Sequence, residues 1–283
     1  MSRSGAPPIE TICSRVRRVT FNLSLIAIAP MAQLREIRVS ETPLTFSNKR
    51  DWFFHPSAHH VRELLLHFLP SGFVLDGSSL VTVIFGRKRE SDLQWQQIPV
   101  LGITFYYVED FDIPAYMALP PDDQQECILS AVTAVLIKIA VHAGSDPAAI
   151  VLAAQCVRDC HFALRIPVRK LWRSTSDRQF RIEVYRCLGT LIGEVWEAHV
   201  FDKSRALLGV DYLTPRRSCL ERTTHFSKSR WNGDIYEVTY SRDGSVKYRL
   251  DLGPARRGIP FLQDDKADVV PVRPPRLQGK LPR

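Results

Sequence analysis

Residues 120–160 read PPDDQQECILSAVTAVLIKIAVHAGSDPAAIVLAAQCVRDC, and this stretch decides the fold. Pro120 and Pro121 followed by Asp122 and Asp123 mark a helix start. Proline suits the first helical position, and carboxylates suit the positive end of the helix dipole. The run 127–141 is apolar on every face, which predicts a helix covered on all sides. His142, Ala143 and Gly144 end it. Asp146 and Pro147 then supply an N-cap and a first-turn proline for a second helix reaching about Cys160. Helices joined by so short a connection are expected to pack antiparallel. The run holds Lys138 and His142 and falls short of the ~20 apolar residues of a membrane span, so no span is expected.

Strand patterns lie on both sides of this helical hairpin. Upstream, 34–46 predicts a strand bent at Pro43, and Ser57 is placed to cap a helix at 58–69. Val61, Leu64, Leu65 and Phe68 recur there at helical spacing. Segments 73–75 and 80–85 flank Asp76 and Gly77, which predicts a hairpin, and 95–108 predicts one long strand or two short ones. Downstream, 162–172, 180–187 and 195–201 have strand length and pattern. Asn232-Gly233 and Asp243-Gly244 are hairpin-turn dipeptides. Tyr236, Val238, Tyr240 and then Val246, Tyr248, Leu250 alternate about them, with Glu237, Lys247 and Arg249 on the opposite face. The expected class is α+β: mainly antiparallel sheets around a central buried helical hairpin, ending in a C-terminal β-meander.

The 283 residues are 45% hydrophobic and 24% charged, with a mean hydropathy of −0.11. That is an ordinary globular balance, which excludes collagen-like, coiled-coil and wholly disordered chains. The expected organisation is an N-terminal extension, 1–30, a body, 31–253, and a basic proline-rich tail, 254–283, without order signals. The body reads as one domain or as two halves meeting near 115–160. Residues 14–32 imitate a secretory signal, and Met31 is an alternative start of the chain. The six cysteines are scattered, four of them as Cys127, Cys156, Cys160 and Cys187, so reduced thiols and a cytoplasmic location are expected.

The net charge is +8, but the N-terminal extension carries +3 and the tail +4, leaving the body near +1. Inside the body the charge is sorted. Residues 90–137 contain eight acids (Glu90, Asp92, Glu109, Asp110, Asp112, Asp122, Asp123 and Glu126) and no Lys or Arg. Residues 165–181 then hold Arg165, Arg169, Lys170, Arg173, Arg178 and Arg181 against Asp177 alone. Dinucleotide, P-loop, zinc-protease and nucleophile-elbow motifs are all missing, so no cofactor, metal or catalytic residue is assigned. His59, His60 and His67 fall on the first helix and read as structural. Arg173-Ser174-Thr175-Ser176 followed by Glu183 resembles the Ser-Thr-Ser and Glu elements of ADP-ribosyltransferases in residue type only. In that family the glutamate comes much later, on a separate loop.

A motif-free α+β body with concentrated acids resembles, in general layout, small bacterial inhibitors of the immunity-protein kind. The expected function is therefore non-enzymatic binding of a basic protein partner, such as a toxin. Glu109, Asp110, Phe111, Asp112, Asp122 and Asp123 are the expected contact residues. Two alternatives are an enzyme with a dispersed site and a nucleic-acid-binding protein that uses the basic ends and 165–181, where Trp172 could stack a base. A body near +1 makes the second the weaker of the two.

Overall fold

The computed structural model describes residues 32–42, 54–190, 192–214 and 225–259. The fold is α+β, with several mostly antiparallel sheets and a few helices. Strand β1 (Glu36–Glu41) is followed by helix α1 (Phe54–Phe68), and β2 (Leu80–Phe85) returns parallel to β1. The hairpin expected across Asp76 and Gly77 does not form. Residues 73–75 carry no strand, and β2 pairs in parallel with β1 and with β4 (Ile103–Val108). Asp76 instead uses its carboxylate to turn the chain into β2. It accepts from the Ser78 N–H at 3.0 Å and from the Thr104 hydroxyl at 2.5 Å. Strand β3 (Trp95–Ile98) joins β4 antiparallel through a 3-10 turn, giving the order β1-β2-β4-β3. Gly102 closes that turn at φ +62°, where a Cβ would be strained and would also meet Ser79 Oγ at 3.3 Å.

Helices α2 (Ile113–Ala118), α3 (Pro121–Ala143) and α4 (Ala148–Asp159) follow. Arg158, near the end of α4, donates to both carboxylate oxygens of Glu126, near the start of α3, at 2.7 and 3.1 Å. That pairing requires the antiparallel arrangement expected from the short connection. By length and composition α3 could cross a membrane, with a mean hydropathy of 1.7 over its most apolar stretch. It is not covered on all sides, however. Ile128, Leu129, Val132, Val135, Leu136, Ile139 and Ala140 form a buried stripe, while Ser130, Ala134, Lys138 and Val141 are exposed. Small side chains on the outer face hid this amphipathicity from the sequence pattern. The helix at the centre is α1, which packs on β1, α3 and α4 and also reaches two strands of the second sheet. It starts at Phe54, ahead of the expected cap, and Ser57 instead shares a 2.7 Å hydroxyl hydrogen bond with Tyr116.

The second half of the chain is antiparallel. Strands β5 (Leu164–Pro167), β6 (Arg173–Ser174), β7 (Phe180–Gly189), β8 (Gly193–Asp202) and β9 (Leu207–Tyr212) form one sheet. Strands β10 (Lys228–Asn232), β11 (Ile235–Thr239) and β12 (Val246–Asp251) form the expected meander. The chain does not lose order at 254, because Gly253–Arg256 forms a helical turn, α5. Its Arg256 bridges Asp177 at 2.6 Å and Asp234 at 2.7 Å. The expectations for 1–31, Pro43, Cys13, Cys219 and 260–283 lie outside the described residues.

Two apolar cores result, one between β1, β2, β4 and the helices, the other between the two antiparallel sheets. They are joined by a buried polar cluster. On α1, His59, Arg62 and Glu63 sit at i, i+3 and i+4 and so share a face. They meet Arg186 of β7 and Glu194 of β8, and all five residues are at most 7% exposed. Arg186 donates to Glu63 and to Glu194, each at 2.7 Å. Trp196 Nε1 donates to the other Glu194 oxygen at 2.7 Å. Arg62 donates to Ile37 O at 2.9 Å and to His59 Nδ1 at 3.1 Å. Since Nδ1 accepts, the His59 proton is on Nε2, which lies 2.9 Å from Glu194. The imidazole is then neutral, and two guanidinium groups balance two carboxylates.

Burial alone would raise the Glu194 carboxyl. Hydrogen bonds from His59 and Arg186, together with the Arg186 charge, outweigh it and hold the pKa at about 2. The folded value lies below the ordinary 4.5, so the stabilisation is present above that value and is lost as pH falls toward 2. Acid titration of stability in urea should therefore decline between about pH 5 and pH 2. Glu194→Gln should cost about 3–5 kcal/mol at pH 7, since it leaves a buried guanidinium uncompensated. The variant should also show a flatter acid limb. A parent-like midpoint at pH 7 would refute this account.

Candidate functional site

The parallel pairing of β2 and β4 brings the C-terminal ends of both strands to one edge, tied by the Gly86 N–H to Val108 O at 2.9 Å. The expected contact residues emerge there. Glu109 leaves β4 at the position where Lys88 leaves β2, with its carboxylate 3.8 Å from the ammonium. Asp110 is exposed. Asp112 is the N-cap of α2 and accepts from the Ala115 N–H at 2.9 Å, a local role in addition to its charge. Asp122 and Asp123 are exposed in the first turn of α3, where Asp122 accepts from Gln125 at 3.2 Å. Gln124 holds the two helices together by donating to Met117 O at 3.3 Å and Leu119 O at 3.0 Å.

Phe111 departs from its expected role as an exposed anchor. Its ring packs edge-on against Phe85 at 4.5 Å and lies 5.5 Å from Tyr116, half-buried at the rim of the first core. The residue between two aspartates turns inward because the start of α2 must bury Ile113 and Tyr116 beneath it. The exposed apolar side chains here are instead Met117, at 38%, and Leu119, at 37%. No sequence period singles them out.

The basic run is largely taken up within the fold. Arg165 lies 3.3 Å from Glu197, and Arg181 pairs with Glu183 at 2.7 Å. Arg169 and Arg181 flank the Trp172 ring at 5.9 and 5.1 Å, and the indole N–H is held by Val184 O at 3.1 Å. Arg173 donates to three backbone carbonyls, of Lys170, Trp172 and Ser229. The Trp172 ring is thus engaged with its own neighbours.

The same register aligns a polar row that sequence spacing did not single out. Across β7 and β8, Glu183 faces His199 and Tyr185 faces Glu197. His199 lies 2.8 Å from Glu197, and Tyr185 donates to Glu183 at 2.5 Å. Burial and the Glu183 carboxylate push the Tyr185 phenol up to about 12. Against burial, the His199 hydrogen bond and the Arg165 charge hold Glu197 below its ordinary value. A carboxylate–imidazole pair can relay a proton, but His199 and Glu197 are only 7% and 8% exposed. A single residue of each strand points to this row, so only pairing across the hairpin reveals it. Among the described residues no group of three or more His, Cys, Asp or Glu is arranged to hold a metal ion.

Cys127, Cys156, Cys160 and Cys187 are free thiols. Burial raises Cys127 and Cys160, and lifts Cys187 to about 12. Because the thiolate is the reactive form, native iodoacetamide treatment at neutral pH should leave Cys187 unlabelled until denaturant is added. Rapid native labelling of Cys187, read by peptide mass spectrometry, would contradict that burial. The chain matches no protein-family model, no curated protein and no solved structure, so the function is argued from this geometry alone.

Proposed function

We propose that the protein is a non-enzymatic binding protein whose exposed carboxylates around α2 dock a basic protein partner. The reading is that of a small bacterial inhibitor or immunity-type protein that occludes a toxin. One imbalance carries it. Asp110, Asp112, Asp122 and Asp123 have no ion pair among the described residues, whereas Arg165, Arg169, Arg173 and Arg181 are engaged within the fold. Unneutralised surface charge of one sign steers an oppositely charged partner and sets register more than it adds affinity. Met117 and Leu119 lie between the two groups of carboxylates and supply apolar contact. The Gln124 bonds hold the α2–α3 junction in shape before any partner arrives, which lowers the entropy lost on binding. Four free thiols fit a reducing, cytoplasmic setting.

A variant that reverses charge without removing the α2 cap tests the reading, so Asp110→Lys/Asp123→Lys is preferred to any change at Asp112. Cross-linked capture from the source cells identifies the partner, and stopped-flow mixing measures its association. The parent should associate more slowly as salt rises, because charges beyond ~8–10 Å are screened. The double variant should associate at least about tenfold more slowly at low salt, with its melting temperature within about 4 °C of the parent's. Equal association rates for parent and variant, at low and high salt alike, would overturn the proposal.

A further inference from the structure

At the other end of α3, strands β3 and β4 and the helix enclose a cavity of about 190 Å³ lined by Trp95, Tyr106, Lys138, Ile139 and His142. It lies roughly 24 Å along the helix from Asp122, at 1.5 Å per residue, so it is separate from the carboxylates around α2. Each wall follows from local geometry. Trp95 and Tyr106 are directly opposed across β3 and β4, which puts both rings on one face. Lys138 and His142 are at i and i+4, which puts both on one side of α3. The His142 ring stands edge-on to Trp95 at 4.1 Å, and the Lys138 ammonium is 5.9 Å from the Tyr106 ring centre.

Two features of this cavity have no use in the fold described above. The Trp95 indole N–H is buried and has no acceptor. Buried donors are nearly always paired, so an orphan calls for an explanation. Lys138 is the lone Lys or Arg between residues 90 and 157 and makes no ion pair among the described residues. A solvated lysine alone would mean nothing. A lysine at the mouth of an aromatic cleft that also holds an unpaired N–H is a constellation that an anionic aromatic ligand completes.

We propose that this cavity binds a small planar carboxylate, a single aromatic ring bearing one negative charge. A cavity of about 150 Å³ takes one benzene ring, so the space here fits a ring with its carboxylate and excludes a nucleotide or a fused polycycle. The ligand ring packs against Trp95 and Tyr106 in offset or edge-to-face contact. Its carboxylate meets the Lys138 ammonium and brings the acceptor that the Trp95 N–H lacks. Ile139 supplies the apolar floor, and His142 offers a second ring nitrogen at the rim.

Benzoate is the probe, read on the full chain by the indole N–H resonances in two-dimensional NMR, with Trp95→Phe identifying the Trp95 signal. One indole resonance should shift saturably with benzoate. Benzyl alcohol has the same ring without charge and should bind at least about tenfold more weakly. Cyclohexanecarboxylate has the charge without the flat ring and should also be weaker. Lys138→Met, at an exposed position, should weaken benzoate about tenfold without moving the melting temperature. Should Trp95→Phe fail to fold, the Lys138→Met comparison decides alone. No saturable shift, or equal benzoate affinity in the parent and Lys138→Met, overturns the proposal. So does benzyl alcohol binding as tightly as benzoate.

Discussion

Two arginines and two glutamates buried beneath one helix set the terms for the rest of this structure. An unpaired charge taken out of water is too costly to survive in a native state. The guanidinium of Arg186 must therefore lie between Glu63 and Glu194, and Glu194 must keep its contacts with His59 and Trp196. Those contacts hold α1 at a fixed place over the β7–β8 hairpin. Since α1 is also the connection between the parallel strands β1 and β2, the orientation of the first sheet follows from the same cluster. A well-packed apolar contact of equal area would glue the two halves as firmly, but it would permit sliding. Charges with two or three required partners each do not.

The same economy explains which surface charges remain. Charges that the sequence places in blocks are redistributed by strand pairing, because alternate residues on β7 and β8 face their opposite numbers at close range. Arg181 thereby finds Glu183 and Arg165 finds Glu197. The carboxylates around α2 have no such neighbours, because they stand at helix ends and in a strand-end turn, where dipoles and backbone N–H groups stabilise a negative charge without a cation. Local helix chemistry can therefore keep an acid at the surface uncompensated, whereas sheet chemistry tends to pair it. The functional proposal rests on that difference.

Much of the architecture was legible in the residues themselves. The starts of α3 and α4, the antiparallel pairing across residues 144–147 and the three-stranded meander all depend on contacts within a few positions. Proline, aspartate and Asn-Gly or Asp-Gly pairs encode such contacts directly. The exposure of Asp110, Asp122 and Asp123 was readable for the same reason, since turn and helix-start carboxylates rarely find room inside.

What only the tertiary structure decided is which distant partner each element takes. Asp76 and Gly77 look like a hairpin turn, yet β2 pairs with β1 and β4, because α1 must span the sheet and a helical crossover makes the strands parallel. Phe111 sits among acids in the sequence, yet it packs on Phe85, 26 positions earlier, once β2 and β4 end side by side. His59 and Glu194 are 135 residues apart and meet only after both halves have folded. Local sequence determines the shape of each piece, since backbone dihedrals and caps are settled within a turn or two. Partner choice is settled by the burial of apolar faces and the cancellation of buried charge, which are properties of the whole chain and are written at no single position in it.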